Sequence, residues 1–204
     1  HVWLNTGSDW EEDTSWDIPL AFVDTVNHPD QDQGVRLMDV NADGLVDLVQ
    51  ARRTGWDGSG NEIAEKHVYL NTGTGWREDT SWAIPFVFSD DVSSPQTDFG
   101  LEVGDVNGDG LPDVIESSWS GYTSDTGNIE ERRVYMNTGT GWEEDASWTV
   151  PVIIKKTYDF DHDQGVRVFD ANGDGLTDLL QSKYDPTGYG SASGVYLNTG
   201  SGWE

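Results

Sequence analysis

A nine-residue acidic pattern, D-x-N-x-D-G-x-x-D, occurs three times in this chain. The copies are Asp39-Val-Asn-Ala-Asp-Gly-Leu-Val-Asp47, Asp105-Val-Asn-Gly-Asp-Gly-Leu-Pro-Asp113 and Asp170-Ala-Asn-Gly-Asp-Gly-Leu-Thr-Asp178. They start 66 and then 65 residues apart, so the loop belongs to a repeated structural unit. A second pattern keeps the same period: Val2-Trp-Leu-Asn-Thr-Gly7, Val68-Tyr-Leu-Asn-Thr-Gly73, Val134-Tyr-Met-Asn-Thr-Gly139 and Val195-Tyr-Leu-Asn-Thr-Gly200. A tryptophan follows each time, at Trp10, Trp76, Trp142 and Trp203. Three copies run on to a second tryptophan and a proline: Trp16/Pro19, Trp82/Pro85 and Trp148/Pro151.

A fixed period of this size restricts the fold to a solenoid, a propeller or an array of small domains. Within one period the pattern is β throughout. Gly34–Val40 alternates and runs into the acidic loop, Asp47–Ala51 leaves it, and His67–Thr72 is rich in strand formers and stops at a glycine turn. Trp82–Phe88 is the fourth expected strand, placed at an edge because Pro85 cannot donate to a ladder. No segment carries a sustained helical stripe. Four short antiparallel strands per period make one propeller blade. The sequence therefore predicts a single all-β, β-propeller-type array of four-stranded antiparallel blades. Its units span 2–67, 68–133 and 134–194, with a partial unit at 195–204. Three blades are few for a closed ring, so the array is expected to belong to a larger propeller or to be completed by another chain.

The loop has the chemistry of a hard-cation site. Calcium takes 6–8 oxygens, and a compact loop supplies them from alternate side chains and a backbone carbonyl. The predicted ligands are Asp39, Asn41, Asp43 and Asp47 with the carbonyl of Leu45; Asp105, Asn107, Asp109 and Asp113 with Leu111; and Asp170, Asn172, Asp174 and Asp178 with Leu176. Gly44, Gly110 and Gly175 permit the turn. Three carboxylates crowd each loop, so one Ca²⁺ per loop, about three in all, is expected to act as a structural fastener. Magnesium demands octahedral geometry, and zinc prefers His or Cys. A single such loop reads equally well as an acidic Asx-turn; three in register do not.

Acids outnumber bases 38 to 11, a formal charge of −27. Such a surface repels nucleic acid and anionic membranes. Three calcium ions would leave −21, so a solvated acidic shell remains. There is no cysteine, which excludes disulfides and thiolate chemistry. No apolar run approaches the length of a membrane span, and no basic-then-apolar leader opens the chain. His1, His28, His67 and His162 occupy unrelated repeat positions, and neither H-E-x-x-H nor G-x-S-x-G occurs, so no catalysis is expected. Asp32, Asp98 and Asp163 recur seven residues before each loop and two before a glycine; they read as a turn device, the alternatives being a channel lining or a second ion. Trp10, Trp76, Trp142, Trp16, Trp82 and Trp148 read as packing between blades. Variable linkers at 52–66, 117–133 and 182–194 carry Trp56, Trp119, Tyr122, Tyr184 and Tyr189, where a ligand would be met if one is displayed.

The acidic loop followed by a V-Y-L-N-T-G strand resembles the FG-GAP/VCBS repeat, the blade of the integrin α-subunit head and of many secreted microbial proteins. Phe99-Gly100 matches the family's Phe-Gly, where the other copies have Gln33-Gly34 and Gln164-Gly165, and no copy keeps the Gly-Ala-Pro half. The resemblance covers essentially the whole chain. It implies a calcium-binding β-propeller, usually seven-bladed, secreted or at the cell surface, with the metal on the loop positions named above. Its implied use is adhesion, protein recognition or surface assembly. Two alternatives stand beside this: a carbohydrate-binding module, and a non-catalytic appendage of a secreted enzyme or toxin. Expected partners are a protein or cell-surface ligand, a glycan, or further blades of its own kind.

Overall fold

A computed structural model describes residues 2–25, 31–92, 97–123, 127–157, 162–184 and 190–204, apart from the side chains of Tyr122, Thr123 and His162. Every regular element among them is a β-strand. The chain opens with a hairpin of β1 (Val2–Asn5) and β2 (Trp10–Asp13), then the short pair β3 (Val23–Asp24) and β4 (Gln31–Asp32). Sheet I follows as an antiparallel meander of β5 (Val35–Met38), β6 (Asp47–Trp56), β7 (Glu62–Asn71) and β8 (Trp76–Glu78). Its far end is extended by β9 (Ser89–Asp90), parallel to β6, and β10 (Thr97–Asp98), antiparallel to β9. Sheet II repeats the plan with β11 (Leu101–Gly104), β12 (Asp113–Thr123), β13 (Gly127–Asn137) and β14 (Trp142–Glu144), extended by β15 (Lys155–Lys156) and β16 (His162–Asp163). Sheet III holds β17 (Val166–Phe169), β18 (Asp178–Lys183) and β19 (Ala192–Tyr196); its fourth strand shrinks to one bridge, Asn198 with Trp203.

The predicted strands around each acidic loop form as expected, but the fourth strand of each sheet lies elsewhere. It is the segment just after the N-T-G turn, Trp76–Glu78 and Trp142–Glu144, because a tight turn returns the chain directly onto its neighbour. Residues 82–88 form a connection between sheets. Ile84, Phe86 and Phe88 point alternately into the core, and the Phe88 amide donates to Ala51 O at 2.8 Å. The stretches read as linkers at 52–66 and 117–133 are mostly paired strand. β6 with β7, and β12 with β13, continue outward as hairpin arms with a bulge at Arg53/Gly55 and at Trp119/Gly121. Trp56 and Trp119 therefore sit on strands.

Each sheet has two faces because its side chains alternate. The trailing face of sheet I, with Met38, Val49, Val68 and Leu70, meets the leading face of sheet II, with Val114, Tyr135 and Trp142. Residues 82–88 fill the gap between them. The next junction is built from the same positions: Ile115, Val134 and Met136 against Leu179, Tyr196 and Trp203, filled by Trp148, Val150, Val152 and Ile154. The core is thus a series of layers between sheets, and each sheet is held by its neighbour.

Candidate metal centres

Each acidic loop joins the first strand of a sheet to the second and is exposed at its tip. Its first aspartate caps the loop from within: Asp39 accepts from the amides of Asp43 (3.1 Å) and Gly44 (2.8 Å). Asp105 accepts from Gly108 and Gly110, and Asp170 from Gly173, Asp174 and Gly175. The amides on Asp170, that of Gly175 foremost, hold its carboxyl below the usual range. The third and fifth residues are coupled in every copy. Asn41 Nδ2 donates to Asp43 Oδ2 at 3.0 Å, and the pairs Asn107/Asp109 and Asn172/Asp174 do so at 2.9 Å. The fifth carboxylate also accepts from the amide of the seventh residue, Leu45, Leu111 or Leu176. The turn needs a left-handed backbone at the fourth position as well as the sixth: Ala42 has φ 57°, Gly108 79° and Gly173 84°.

The ninth aspartate has a separate part. Asp47, Asp113 and Asp178 are fully buried. Both carboxylate oxygens of each accept a backbone amide. Asp47 Oδ2 takes Val40 N (3.0 Å) and Oδ1 takes Asn71 N (2.7 Å). Asp113 holds Val106 and Asn137, and Asp178 holds Ala171 and Asn198. This residue therefore ties the acidic loop to the N-T-G strand two strands away. Burial raises the Asp47 carboxyl and pushes that of Asp113 up to about 6, with the loop's other two aspartates adding to the rise in each case.

The asparagine of the N-T-G strand carries the tie across the junction, a role the sequence reading did not assign. Asn137 Nδ2 donates to Val40 O of the preceding loop at 2.9 Å, and Asn198 Nδ2 to Val106 O at 2.8 Å. Asn71 finds no such loop before it and turns to Val46 O of its own sheet. In the later sheets the matching carbonyl accepts from a tryptophan: Trp142 Nε1 donates to Pro112 O and Trp203 Nε1 to Thr177 O, both at 3.0 Å, and Thr177 O also takes Asn198 Nδ2 at 3.2 Å. Trp76 Nε1 is left buried without a partner. The recurrence of Asn at 5, 71, 137 and 198 was the available signal, but strand formers around it masked its side-chain role.

The other recurring acids are turn devices. Asp32, Asp98 and Asp163 accept from the amides of Gly34, Gly100 and Gly165 at 2.7–2.8 Å. Those glycines have positive φ and abut the backbone carbonyls of Ala51, Ser117 and Ser182. Asp32 and Asp163 also pair with Arg36 and Arg167, and Asp98 with Lys155.

The oxygen-rich donor set of each loop suits a hard cation, and the first, fifth and ninth aspartates raise the charge density there. As folded here, their oxygens are directed at backbone amides and the asparagine amide. Among the described residues no three acidic or histidine side chains are gathered closely enough to hold an ion as they stand.

Residues 39–116 match the family model described as FG-GAP-like repeat. This segment is an FG-GAP-like repeat. It runs from the first acidic loop through the second and into β12, somewhat more than one period. A search of curated proteins found no match. Among solved structures, an Agrocybe aegerita lectin that recognises non-reducing terminal N-acetylglucosamine shares 18% identity at a TM-score of 0.47, over 83% of this chain and 36% of its own. The Photorhabdus luminescens Tc holotoxin pore shares 18% identity at a TM-score of 0.48, over 96% of this chain and 7% of its own. This chain thus spans well under half the length of either.

The repeat's tryptophans pair across its junctions: Trp16 with Trp76, Trp82 with Trp142 and Trp148 with Trp203, at centroid distances of 5.7, 5.3 and 5.0 Å. Trp10, first of the series, is exposed. Of the linker aromatics, Trp56 is exposed beside Arg53, Trp119 lies under Lys156, and Tyr184 is exposed. Tyr189, His1 and His28 lie outside the described residues, as do the side chains of Tyr122 and His162. His67 pairs with Glu78 at 2.6 Å on the surface of sheet I.

Proposed function

We propose that this chain is part of a calcium-fastened β-propeller that works outside the cytoplasm as a recognition module and performs no chemistry of its own. The observation that carries the reading is one linkage found at both junctions: acidic loop, ninth aspartate, N-T-G asparagine, and the carbonyl of the preceding loop. The residues that would hold the ion are Asp39, Asn41, Asp43 and the Leu45 carbonyl, with Asp47 beneath, and their equivalents in the other two loops. An ion there would neutralise carboxylates that otherwise repel, and would steady the loop whose second carbonyl, Val40 or Val106, receives the next unit's asparagine. Isothermal titration of chelator-treated protein with calcium tests this. About three sites per chain are expected, and no heat at micromolar to millimolar calcium refutes it.

A glycan ligand is the second reading, favoured by a hollow of about 310 Å³ between the arms of sheets I and II. Phe86, Phe99 and Tyr135 provide apolar surface there, and Arg53, Glu116 and Ser118 provide polar groups. Trp56 stands exposed on the neighbouring arm, with Arg53 stacked between it and Phe99. A glycan array probed with wild type and Trp56→Ala separates the readings. Binding that the substitution abolishes supports a glycan, and a blank array supports a protein ligand.

A further inference from the structure

The hollow between sheets I and II lies where sheet II departs from its neighbours at three matched positions. Six residues before the acidic loop stand Gln33, Phe99 and Gln164. Three residues after its ninth aspartate stand Gln50, Glu116 and Gln181, and five after it Arg52, Ser118 and Lys183. Strand pairing gives the same register: Gln50 lies opposite Val35, Glu116 opposite Leu101 and Gln181 opposite Val166. In sheets I and III the three side chains close on one another. Gln50 Nε2 donates to Gln33 O at 2.9 Å, and Gln181 Nε2 to Gln164 O at 3.1 Å. The cation then donates to the first glutamine, Arg52 Nη1 to Gln33 Oε1 and Lys183 Nζ to Gln164 Oε1 at 2.9 Å. Sheets I and III thus each seat a side-chain cation of their own at this place.

Sheet II has no cation at the matching position. Ser118 is too short to cross the space, Phe99 sets a ring where a glutamine would accept, and Glu116 sets a carboxylate where the others have an amide. The space of about 310 Å³ is lined by these three together with Phe86, Tyr135 and Arg53, and its size is that of a small-molecule site. Glu116 is only 9% exposed and Ser118 4%, so both polar groups are buried against the hollow. Tyr135 Oη at 2.9 Å and Arg133 Nη1 at 3.3 Å both donate to Glu116 Oε2. Glu116 Oε1 and Ser118 Oγ have no partner among the described residues. Arg133 is shared by Glu116, Glu131 and Glu144, and Arg53 is held by Asp90 and Glu62. Five carboxylates therefore share two guanidinium groups around the hollow, and aromatic faces add to the attraction for a further cation.

We infer that this hollow binds a protonated primary amine. Its ammonium donates to Glu116 Oε1 and Ser118 Oγ, and its aliphatic stem lies against the rings of Phe86, Phe99 and Tyr135. The ligand supplies from outside the cation that Arg52 and Lys183 supply from within their own sheets. A lysine side chain and a free alkylamine share this chemistry. The occupant differs from the neutral sugar considered above for the same hollow, and its binding does not depend on calcium.

Isothermal titration of the chain with four probes reads the outcome: n-butylamine hydrochloride, Nα-acetyl-lysine methylamide, its uncharged isostere Nα-acetyl-norleucine methylamide, and N-acetylglucosamine. One site is expected for the amines, with the isostere and the sugar weaker by about tenfold or more, because a charge-assisted bond is lost. Equal affinity for the two amines would show that the ammonium alone is read, and tighter binding of the blocked lysine that a polypeptide is its source. No binding of either amine overturns the inference, as does an isostere that binds as well as the lysine, or a sugar that binds where the amines do not. Glu116→Gln keeps the shape of the hollow and should weaken the amine by about tenfold or more. Ser118→Lys places in sheet II the cation that Lys183 provides in sheet III, and should abolish binding of the probe. Circular dichroism checks that both variants fold, and unchanged affinity in either folded variant also overturns the inference.

Discussion

Replacing Asn137 by alanine tests whether the sheets are held by the asparagine tie or by apolar packing alone. Asn137 is 3% exposed. Its side chain makes two bonds: Nδ2 to Val40 O across the junction at 2.9 Å, and Oδ1 from Gly139 N at 2.8 Å. The backbone amide, held by Asp113, is untouched by the change. Truncation leaves a buried carbonyl and a turn amide unpaired. The net loss of a hydrogen bond is about 1 kcal/mol, and an orphaned buried group costs about 1–3 kcal/mol, so the variant should lose about 2–4 kcal/mol. For a chain of this length 1 kcal/mol moves the midpoint by roughly 2–4 °C, so a fall of about 4–16 °C is expected. Asn71→Ala is the internal control. It removes the same turn bond and an exposed bond to Val46 O, but crosses no junction, and should cost about 1 kcal/mol. Thermal unfolding followed by tryptophan fluorescence measures both. Equal midpoints for the two variants would show that the tie contributes nothing beyond its turn.

Chelation should lower the melting temperature and calcium restore it; at about 100 times the dissociation constant each bound ion adds roughly 2.7 kcal/mol, and superimposable melts with and without chelator would refute a structural ion. Burial holds the Glu116 carboxyl above its ordinary value of 4.5, against the bonds from Tyr135 and Arg133 and with help from Glu131. The folded state keeps that proton to higher pH than the unfolded chain, so the group's favourable contribution is complete below about 4.5 and is lost as pH rises through the folded value. The stability of wild type minus that of Glu116→Gln, from urea unfolding, should fall with pH over that window, and a flat difference contradicts the assignment. Gly165→Ala places a Cβ 2.3 Å from Ser182 O at a φ of +72°, whereas Gly7→Ala at +87° meets nothing within 4 Å. The first should cost about 3 kcal/mol or more and the second about 1 kcal/mol; similar losses by chemical denaturation would remove the steric argument.

Much of this architecture is written locally. The acidic loops, the strands beside them and the turn aspartates Asp32, Asp98 and Asp163 follow from contacts spanning a few residues, so their patterns survive in the sequence. The fourth strand does not. Trp76–Glu78 and Trp82–Phe88 both read as strand, and only the return angle of the N-T-G turn and the gap between sheets assign one to the ladder and the other to the filling. The hairpin arms look like loops in the sequence because their polar residues, such as Arg52, Arg53, Glu62 and Glu65, pair across the arm where a sequence shows only charge. The ninth aspartate follows the same logic. Its place in the acidic pattern marks it as a ligand, but Asp113 spends both oxygens on amides from two different segments, 7 and 24 residues away. Sequence alone determined the period, the all-β character and the oxygen-rich loop, because each depends on residue types at short spacing. Tertiary structure decided which carboxylate fastens and which faces solvent, and which asparagine bridges two sheets, because burial and long-range hydrogen bonds exist only once distant strands have met.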